Sequence, residues 1–160
     1  MKQIKFDITR ADVCKRIFAT TACTARAREA MGTPPAITER MLATADDSAM
    51  LYPLIEESVN EVYGDIARHH PGSTVDFVED EHGGHYAFDI KVPANYPDGN
   101  ERKLEHCISG YIAGRALQEW YTNAKPDETA ITAARIQNET TTLQALLTQR
   151  IKPTRQEEKL

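Results

Sequence analysis

Apolar residues recur at helical spacing in the middle of this 160-residue chain. Between residues 51 and 66 they return every three or four positions, which places them on one face of an α-helix. They are Leu51, Leu54, Ile55, Val59, Val62, Tyr63 and Ile66. A capping signal at residues 44–47 precedes this helix, and Pro53 inside it predicts either a kink or a later start. We expect the helix to end near residues 69–72, where His69 and His70 would be charged and suit the helix dipole.

A second strong helix is predicted from about residue 100 to residue 123. Its apolar face is formed by Leu104, Cys107, Ile108, Tyr111, Ile112, Leu117 and Trp120. Gly110 and Gly114 lie four residues apart on one stripe of this helix. Because glycine weakens a helix by roughly 1 kcal/mol relative to alanine, the pair predicts close packing against another backbone. Trp120 is expected to close the core at the far end.

Weaker patterns predict further helices on both sides of these two. A capping signal at residues 9–12 begins a helix over about 10–22, followed by a loop at 23–34 with Arg26 and Arg28 exposed. Prolines 34 and 35 suit the entrance of a short helix with an apolar edge at Ile37, Met41 and Leu42. A final helix is predicted over 128–150, and its interrupted apolar face indicates that it is only partly covered by its own domain.

Two segments alternate polar and apolar residues with a period of two, which is typical of strands. Residues 3–8 predict either an edge strand or an arm packed against a neighbouring molecule. Residues 73–93 predict a β-hairpin around an acidic, glycine-containing loop. The predicted fold is therefore mainly α, a bundle of four to five helices with one inserted β-hairpin in a single domain over 1–150. The polar segment 151–160 has too few apolar residues to fold alone.

Composition narrows the classes of partner. The chain has 24 acidic against 19 basic residues and a formal charge of -5, which disfavours tight binding to nucleic acid. No stretch approaches the ~20 apolar residues of a membrane span, and the N-terminus shows no secretory signal. The three cysteines, Cys14, Cys23 and Cys107, are odd in number and widely spaced, which favours buried, reduced thiols in a cytosolic protein.

Candidate catalytic and metal-binding residues are few. His82 and His85 flank two glycines after three acidic residues, but a zinc site needs three or four convergent ligands. Tyr121 and Lys125 have the spacing of short-chain dehydrogenases, although the dinucleotide-binding glycine motif is absent from the sequence. The acids Glu56, Glu57 and Glu61 fall off the apolar stripe of their helix, which predicts a solvated face. We therefore expect no enzyme, no cofactor and no metal, with a small metal-binding module at His82 and His85 as an alternative.

The order of these elements resembles the small head-to-tail connector (adaptor) proteins of tailed bacteriophages. The chain is also similar to phage and prophage proteins that open with Ile-Lys-Phe-Asp-Ile-Thr and close with Lys-Pro-Thr-Arg. The residues that carry the resemblance are 4–13, 46–47, 51–59, 104–117, 119–121 and 152–155.

This resemblance implies a structural virion protein, made in the cytoplasm of a bacterial host and located in the neck of the particle. It implies a homo-oligomeric ring, typically of twelve copies, that binds the portal protein on one side and a tail or stopper protein on the other. DNA would pass through without sequence-specific binding, since an acidic lumen does not grip it. The C-terminal segment would dock on the portal through Lys152, Pro153, Thr154, Arg155 and Leu160. A tail-completion protein, or another particle protein, is the alternative within this class.

Overall fold

The computed structural model describes residues 1–150, which form five helices and three strands. The helices are α1 (Arg10–Ala30), α2 (Pro35–Thr38), α3 (Ser48–His69), α4 (Glu101–Ala124) and α5 (Thr129–Thr148). The strands are β1 (Lys2–Thr9), β2 (Thr74–Val78) and β3 (His85–Val92). The arrangement confirms the predicted mainly α fold with an inserted β element.

The core lies between α4 and the elements that surround it. α4 packs against α5, α3 and α1, and it buries nearly its whole circumference in the middle of its length. The apolar stripe of α3 faces it, with Leu51, Ile55, Val62 and Ile66 inaccessible to solvent. The two long periodic segments therefore supply about half of the core. None of the helices described is long and apolar enough to cross a bilayer.

The three strands form one antiparallel sheet in the order β1-β3-β2. The N-terminal segment thus pairs with the hairpin. It had been predicted as either an edge strand or an arm packed against a neighbouring molecule, and it forms an edge strand. Alternate residues of β3 face the core, and Phe6 of β1 stacks on Phe88 at 5.0 Å between ring centroids. Because side chains alternate between the faces, the same pairing leaves charged residues such as Lys5 and Asp89 on the outer face.

The helix α1 is eight residues longer than predicted, and the loop expected at 23–34 was wrong over most of its length. Residues 23–30 have little apolar periodicity, but they contain no glycine or proline, and helix formers such as alanine and arginine continue the helix. Ala25 reaches the core at 4% exposure. The helix ends at Ala30, and Gly32 just beyond it has a φ of 95° and donates its N–H to the carbonyl of Glu29. Arg28, predicted to be exposed, is half-buried.

The start of α3 follows the prediction, and its end differs from it at His70. The capping signal at residues 44–47 forms as predicted, with the Thr44 N–H donating to Asp47 Oδ2 at 2.8 Å. Pro53 lies inside the helix, so it does not move the start. At the other end His70 is 2% exposed, and burial lowers its pKa, which disfavours the charged imidazolium expected there.

The structure also shows how far individual apolar side chains and cysteines are buried. Met41 is fully buried as expected, but Ile37 of α2 is 44% exposed. Of the three free cysteines, Cys14 and Cys107 are buried and Cys23 is exposed. The last helix buries Leu143, Leu146 and Leu147 near its C-terminal end, while Ile131 near its start is 62% exposed.

Candidate interaction surfaces

A groove runs along the outer edge of β1, between this strand and the N-terminal half of α4. Six consecutive residues of β1, Ile4 to Thr9, line one wall. Because successive side chains point to opposite faces, consecutive residues can line a groove only along the edge of a strand. The other wall is formed by Asp98, Gly99, Glu101, Arg102, Glu105, His106 and Ser109. We call it the β1 groove; its two adjoining parts enclose about 300 and 370 Å³.

The backbone of β1 offers unpaired hydrogen-bonding groups to this groove. The Arg10 N–H donates to the Gly84 carbonyl at 3.1 Å, which continues the β1–β3 ladder past Thr9. Hydrogen-bonded pairs alternate with non-bonded pairs along antiparallel strands, so the even-numbered residues of β1 bond to β3. The N–H and C=O groups of Lys5 and Asp7 therefore point into the β1 groove. No strand among residues 1–150 pairs with this edge.

The β1 groove is acidic. Its lining holds five carboxylates but only two permanent cations, Lys5 and Arg102. The carboxylates belong to Asp7, Asp12, Asp98, Glu101 and Glu105. Lys2 forms an ion pair with Asp98. The ammonium of Lys5 lies 3.7 Å from the Asp89 carboxylate on the outer face of the sheet. Within residues 1–150, no ion pair neutralises the other four carboxylates.

A second open surface surrounds Trp120 at the far end of the helices. The indole is half-buried, and its Nε1–H donates to the Met41 carbonyl at 2.9 Å, which holds the ring in place. Beside it lies a recess of about 290 Å³ whose lining is mostly apolar. Met50 forms part of the rim and is 66% exposed. We call this the Trp120 recess; it is lined by Arg40, Met50, Leu54, Trp120, Asn123 and Ala124.

The structure places Gly110 and Gly114 where α4 meets α5. A Cβ at Gly110 would lie 3.1 Å from Glu139 Oε1, and one at Gly114 would lie 3.5 Å from Ile136 Cγ1. The absent side chains thus leave room for two residues of α5. Glu139 also accepts a weak hydrogen bond from the Cys107 thiol through its backbone carbonyl at 3.4 Å. Burial and the nearby Glu139 carboxylate raise the pKa of Cys107 to about 12.

The two histidines of the hairpin loop do not converge. Asp80 organises the loop, because its carboxylate accepts from the N–H groups of His82 and Gly84 and contacts His85 Nδ1 at 2.9 Å. These bonds lower the pKa of Asp80 to about 2, and the one to His85 has the largest effect. His82 contributes its backbone rather than its ring. No cluster of three or more potential metal ligands occurs within residues 1–150.

The acids of α3 divide between two environments. Glu56 and Glu57 are exposed, in line with the solvated face expected for them. Glu61 was predicted to be solvated too, but it accepts hydrogen bonds from the Tyr111 hydroxyl at 3.1 Å and from Arg115 Nε at 3.0 Å. Burial, and then the Glu61 charge, raise the pKa of Tyr111 to about 12. Glu61 therefore joins α3 to α4.

Tyr121 and Lys125, which have the spacing of short-chain dehydrogenases, are also engaged in packing and charge contacts. Tyr121 is 2% exposed, and the Lys125 ammonium lies 3.9 Å from the buried carboxylate of Glu128. The predicted partner-binding residues Lys152, Pro153, Thr154, Arg155 and Leu160 lie outside the described residues. Sequence reasoning missed the β1 groove, although the period-two alternation of residues 3–8 had signalled a strand with one unpaired edge.

Neither a protein-family model, nor a curated protein, nor a solved structure matches this chain.

Proposed function

We propose that the chain is a structural subunit of a phage particle, a head-to-tail connector (adaptor) that assembles as a ring between the portal and the tail. The observation that carries the proposal is the presence of two open surfaces of different chemistry, the β1 groove and the Trp120 recess, beside a well-packed core. The mainly α fold agrees with the helical subunit that the resemblance implies, and the hairpin over 73–93 is larger than the adaptor pattern requires.

Two unlike surfaces suit a ring. A closed ring is built from heterologous contacts, in which one patch of a subunit binds a different patch of the next. The β1 groove presents carboxylates and unpaired backbone groups, whereas the Trp120 recess presents apolar side chains. Each would therefore select a different partner, either a neighbouring copy or the portal or tail protein that the resemblance implies.

The polar residues that could have supported catalysis are engaged in structural contacts instead. Asp80 and His85 organise the hairpin loop, and Glu61 links Arg115 to α3. This engagement favours a structural role over the alternative of a metal-binding module. The surplus of acids supports a conduit that does not hold DNA, since binding to phosphates needs clustered lysine and arginine.

The test is the oligomeric state of the chain with and without the portal ring of the same phage. Size-exclusion chromatography with light scattering, followed by native mass spectrometry, should show about twelve copies added to one portal ring. Mass spectrometry of purified particles should also detect the chain. A stable monomer that ignores the portal under all conditions would contradict the proposal, and binding to the tail instead would identify a tail-completion protein.

A pair of methionines offers a matched test of the Trp120 recess. Met50→Glu places a charge on its rim, whereas Met31→Glu places one at a residue outside the recess that is 75% exposed. We expect Met50→Glu alone to weaken binding to the portal or tail protein. Because both side chains are exposed, neither change should unfold the chain. Equal binding by both variants would remove the Trp120 recess from the proposed interface.

A further inference from the structure

We propose that the β1 groove binds the C-terminal segment, residues 151–160, of a second copy of the chain. The proposal rests on the ring assembly proposed above, and it names the contact between neighbouring subunits. It combines three observations: the open edge of β1, the charge of the β1 groove and the position at which α5 ends.

The edge of β1 is suited to strand addition. Lys5 and Asp7 direct their N–H and C=O groups into the β1 groove, and an extended segment lying there would pair with both. Six residues of β1 line it. The ten residues from 151 to 160 are enough to span this edge.

Charge selects among the segments that could pair with this edge. The β2 edge of a second copy would bring Asp76 and the acidic loop 79–81 against the carboxylates of the β1 groove. Pairing β1 with a second β1 would bring the same acidic walls together. The segment 151–160 instead carries three basic residues against two acidic ones, and its first half, 151–155, holds Lys152 and Arg155 with no acidic residue.

The proposed ring assigns the segment to a second copy. Asn100 Nδ2 donates to Gln149 Oε1, which fixes the end of α5 beside Gly99 and Glu101 at one end of the β1 groove. A ring needs contacts between subunits, so we assign the segment of one copy to the β1 groove of the next. This assignment departs from the portal contact that the resemblance implies for the same segment.

A peptide experiment tests the contact directly. The synthetic peptide of residues 151–160 is added to the full chain carrying Lys152→Glu and Arg155→Glu, whose own segment no longer competes. We expect the backbone amide signals of Lys5 and Asp7 to shift in ¹⁵N NMR spectra. The peptide with the same two substitutions to glutamate should cause no shift. Absent or equal shifts with the two peptides overturn the proposal.

Substitutions at Asp7 separate backbone pairing from charge. Asp7→Pro removes an N–H that faces the β1 groove and takes no part in the β1–β3 ladder, so the fold should persist, as circular dichroism would verify. We expect this variant to lose peptide binding. Asp7→Asn keeps the N–H and should bind with only a modest loss of affinity. Undiminished binding by a folded Asp7→Pro chain excludes strand addition.

A mixing experiment tests whether the contact joins two molecules. The groove variant carries Asp7→Pro and the tail variant carries Lys152→Glu and Arg155→Glu, so that the groove of the first does not attract the tail of the second by reversed charge. We expect the wild-type chain to self-associate in a concentration series and each variant alone to remain monomeric. A mixture of the two should form a 1:1 complex, because only one pair of complementary surfaces remains.

Two outcomes overturn the proposal: a tail variant that associates as the wild type does, and a mixture that stays monomeric. The wild-type chain can also be monomeric and still show amide signals of Lys5 and Asp7 that differ from those of the tail variant. Its C-terminal segment then occupies the β1 groove of the same molecule, and this result excludes the second copy. Portal binding is scored separately in each variant. A chain that binds the portal while its β1 groove ignores the peptide keeps the proposed function and loses this inference.

Discussion

Arg28 and Glu128 join the end of α1 to the start of α5. The Arg28 Nε–H donates to Glu128 Oε1 at 2.5 Å, and the glutamate side chain is only 4% exposed. Lys125 adds a second positive charge at 3.9 Å. The hydrogen bond and the charge of Glu128 raise the pKa of Arg28. This pair fixes the two turns of α1 that lie beyond the predicted end of the helix.

We expect Arg28→Ala to lower the melting temperature by a few degrees, because it leaves a buried carboxylate with only the more distant Lys125. Arg26→Ala is the matched control, since Arg26 lies on the same helix and is exposed. Thermal denaturation followed by circular dichroism measures both. Equal melting temperatures in the two variants would show that Arg28 stabilises nothing beyond an ordinary surface residue.

The hairpin offers a second pair of matched substitutions. Gly84 and Gly72 have nearly the same φ, 88° and 87°, so alanine is strained at both. A Cβ at Gly84 would also lie 2.3 Å from Phe77 Cζ, whereas one at Gly72 would meet only Lys91, at 3.6 Å. Gly72→Ala should therefore cost about 1–2 kcal/mol of unfolding free energy. Gly84→Ala should cost more, because Phe77 must leave its place beside Tyr86.

Urea denaturation of both variants measures this difference. Phe77 also lies 4.5 Å from the Arg10 guanidinium, which stands 4.0 Å from the Tyr52 ring on α3. Displacing Phe77 would therefore weaken the contact of the hairpin with Arg10 of α1 and, through it, with Tyr52 of α3. Equal costs for the two glycines would mean that the Phe77 ring moves aside without loss.

The periodicity of apolar residues was sufficient to predict the long helices and the strands. It identified α3 because that helix has one well-defined apolar face, and α4 because apolar residues recur along it at helical spacing, although its middle is buried on nearly every side. It failed at residues 23–30, where α1 is held by isolated contacts such as Arg28–Glu128, which join residues a hundred positions apart. A pattern within one helix contains no information about such a partner.

The same limit applies to the polar contacts and the open surfaces. Glu61 falls off the apolar stripe of α3, and its role depends on Tyr111 and Arg115 of another helix. The β1 groove needs the edge of β1 and one face of α4 together, two elements separated by some ninety residues. Sequence reasoning could predict the strand, but it could not place α4 beside it.

We expect the burial of His70 to make the stability of the fold depend on pH. Burial lowers the pKa of His70 below its ordinary value of 6.5, with a partial offset from a hydrogen bond to the Leu147 backbone. Repulsion from Arg150 and His69 lowers it further. Below pH 6.5 the unfolded chain therefore binds a proton that the folded chain resists. This contribution to stability is complete above that pH and is lost as the pH falls.

Urea denaturation between about pH 7.5 and pH 5.5 tests this dependence. The wild-type chain should lose unfolding free energy over that range, and His70→Gln should lose less of it because the titrating group is gone. His106→Gln is the control, since His106 is exposed on α4. A His70→Gln chain with the wild-type pH dependence would assign the effect to another group.

The two glycines of α4 should respond differently to alanine, although they lie on the same stripe of one helix. Alanine favours a helix over glycine by roughly 1 kcal/mol, and at Gly114 the new methyl group would meet Ile136 at an ordinary contact distance of 3.5 Å. Gly114→Ala should therefore stabilise the chain. At Gly110 the methyl group would lie 3.1 Å from Glu139 Oε1 and 3.3 Å from its Cδ. The carboxylate must then move, which offsets the gain in helix stability.

A double variant separates these two effects. In the double variant Gly110→Ala with Glu139→Ala, the crowding carboxylate is absent. Adding Gly110→Ala to the Glu139→Ala chain should therefore raise the free energy of unfolding by about as much as Gly114→Ala raises it in the wild-type chain. Urea denaturation of the four chains measures the coupling. If Gly110→Ala stabilises the wild type and the Glu139→Ala background equally, the carboxylate moves without cost, and Gly110 is not needed for the packing of α5 on α4.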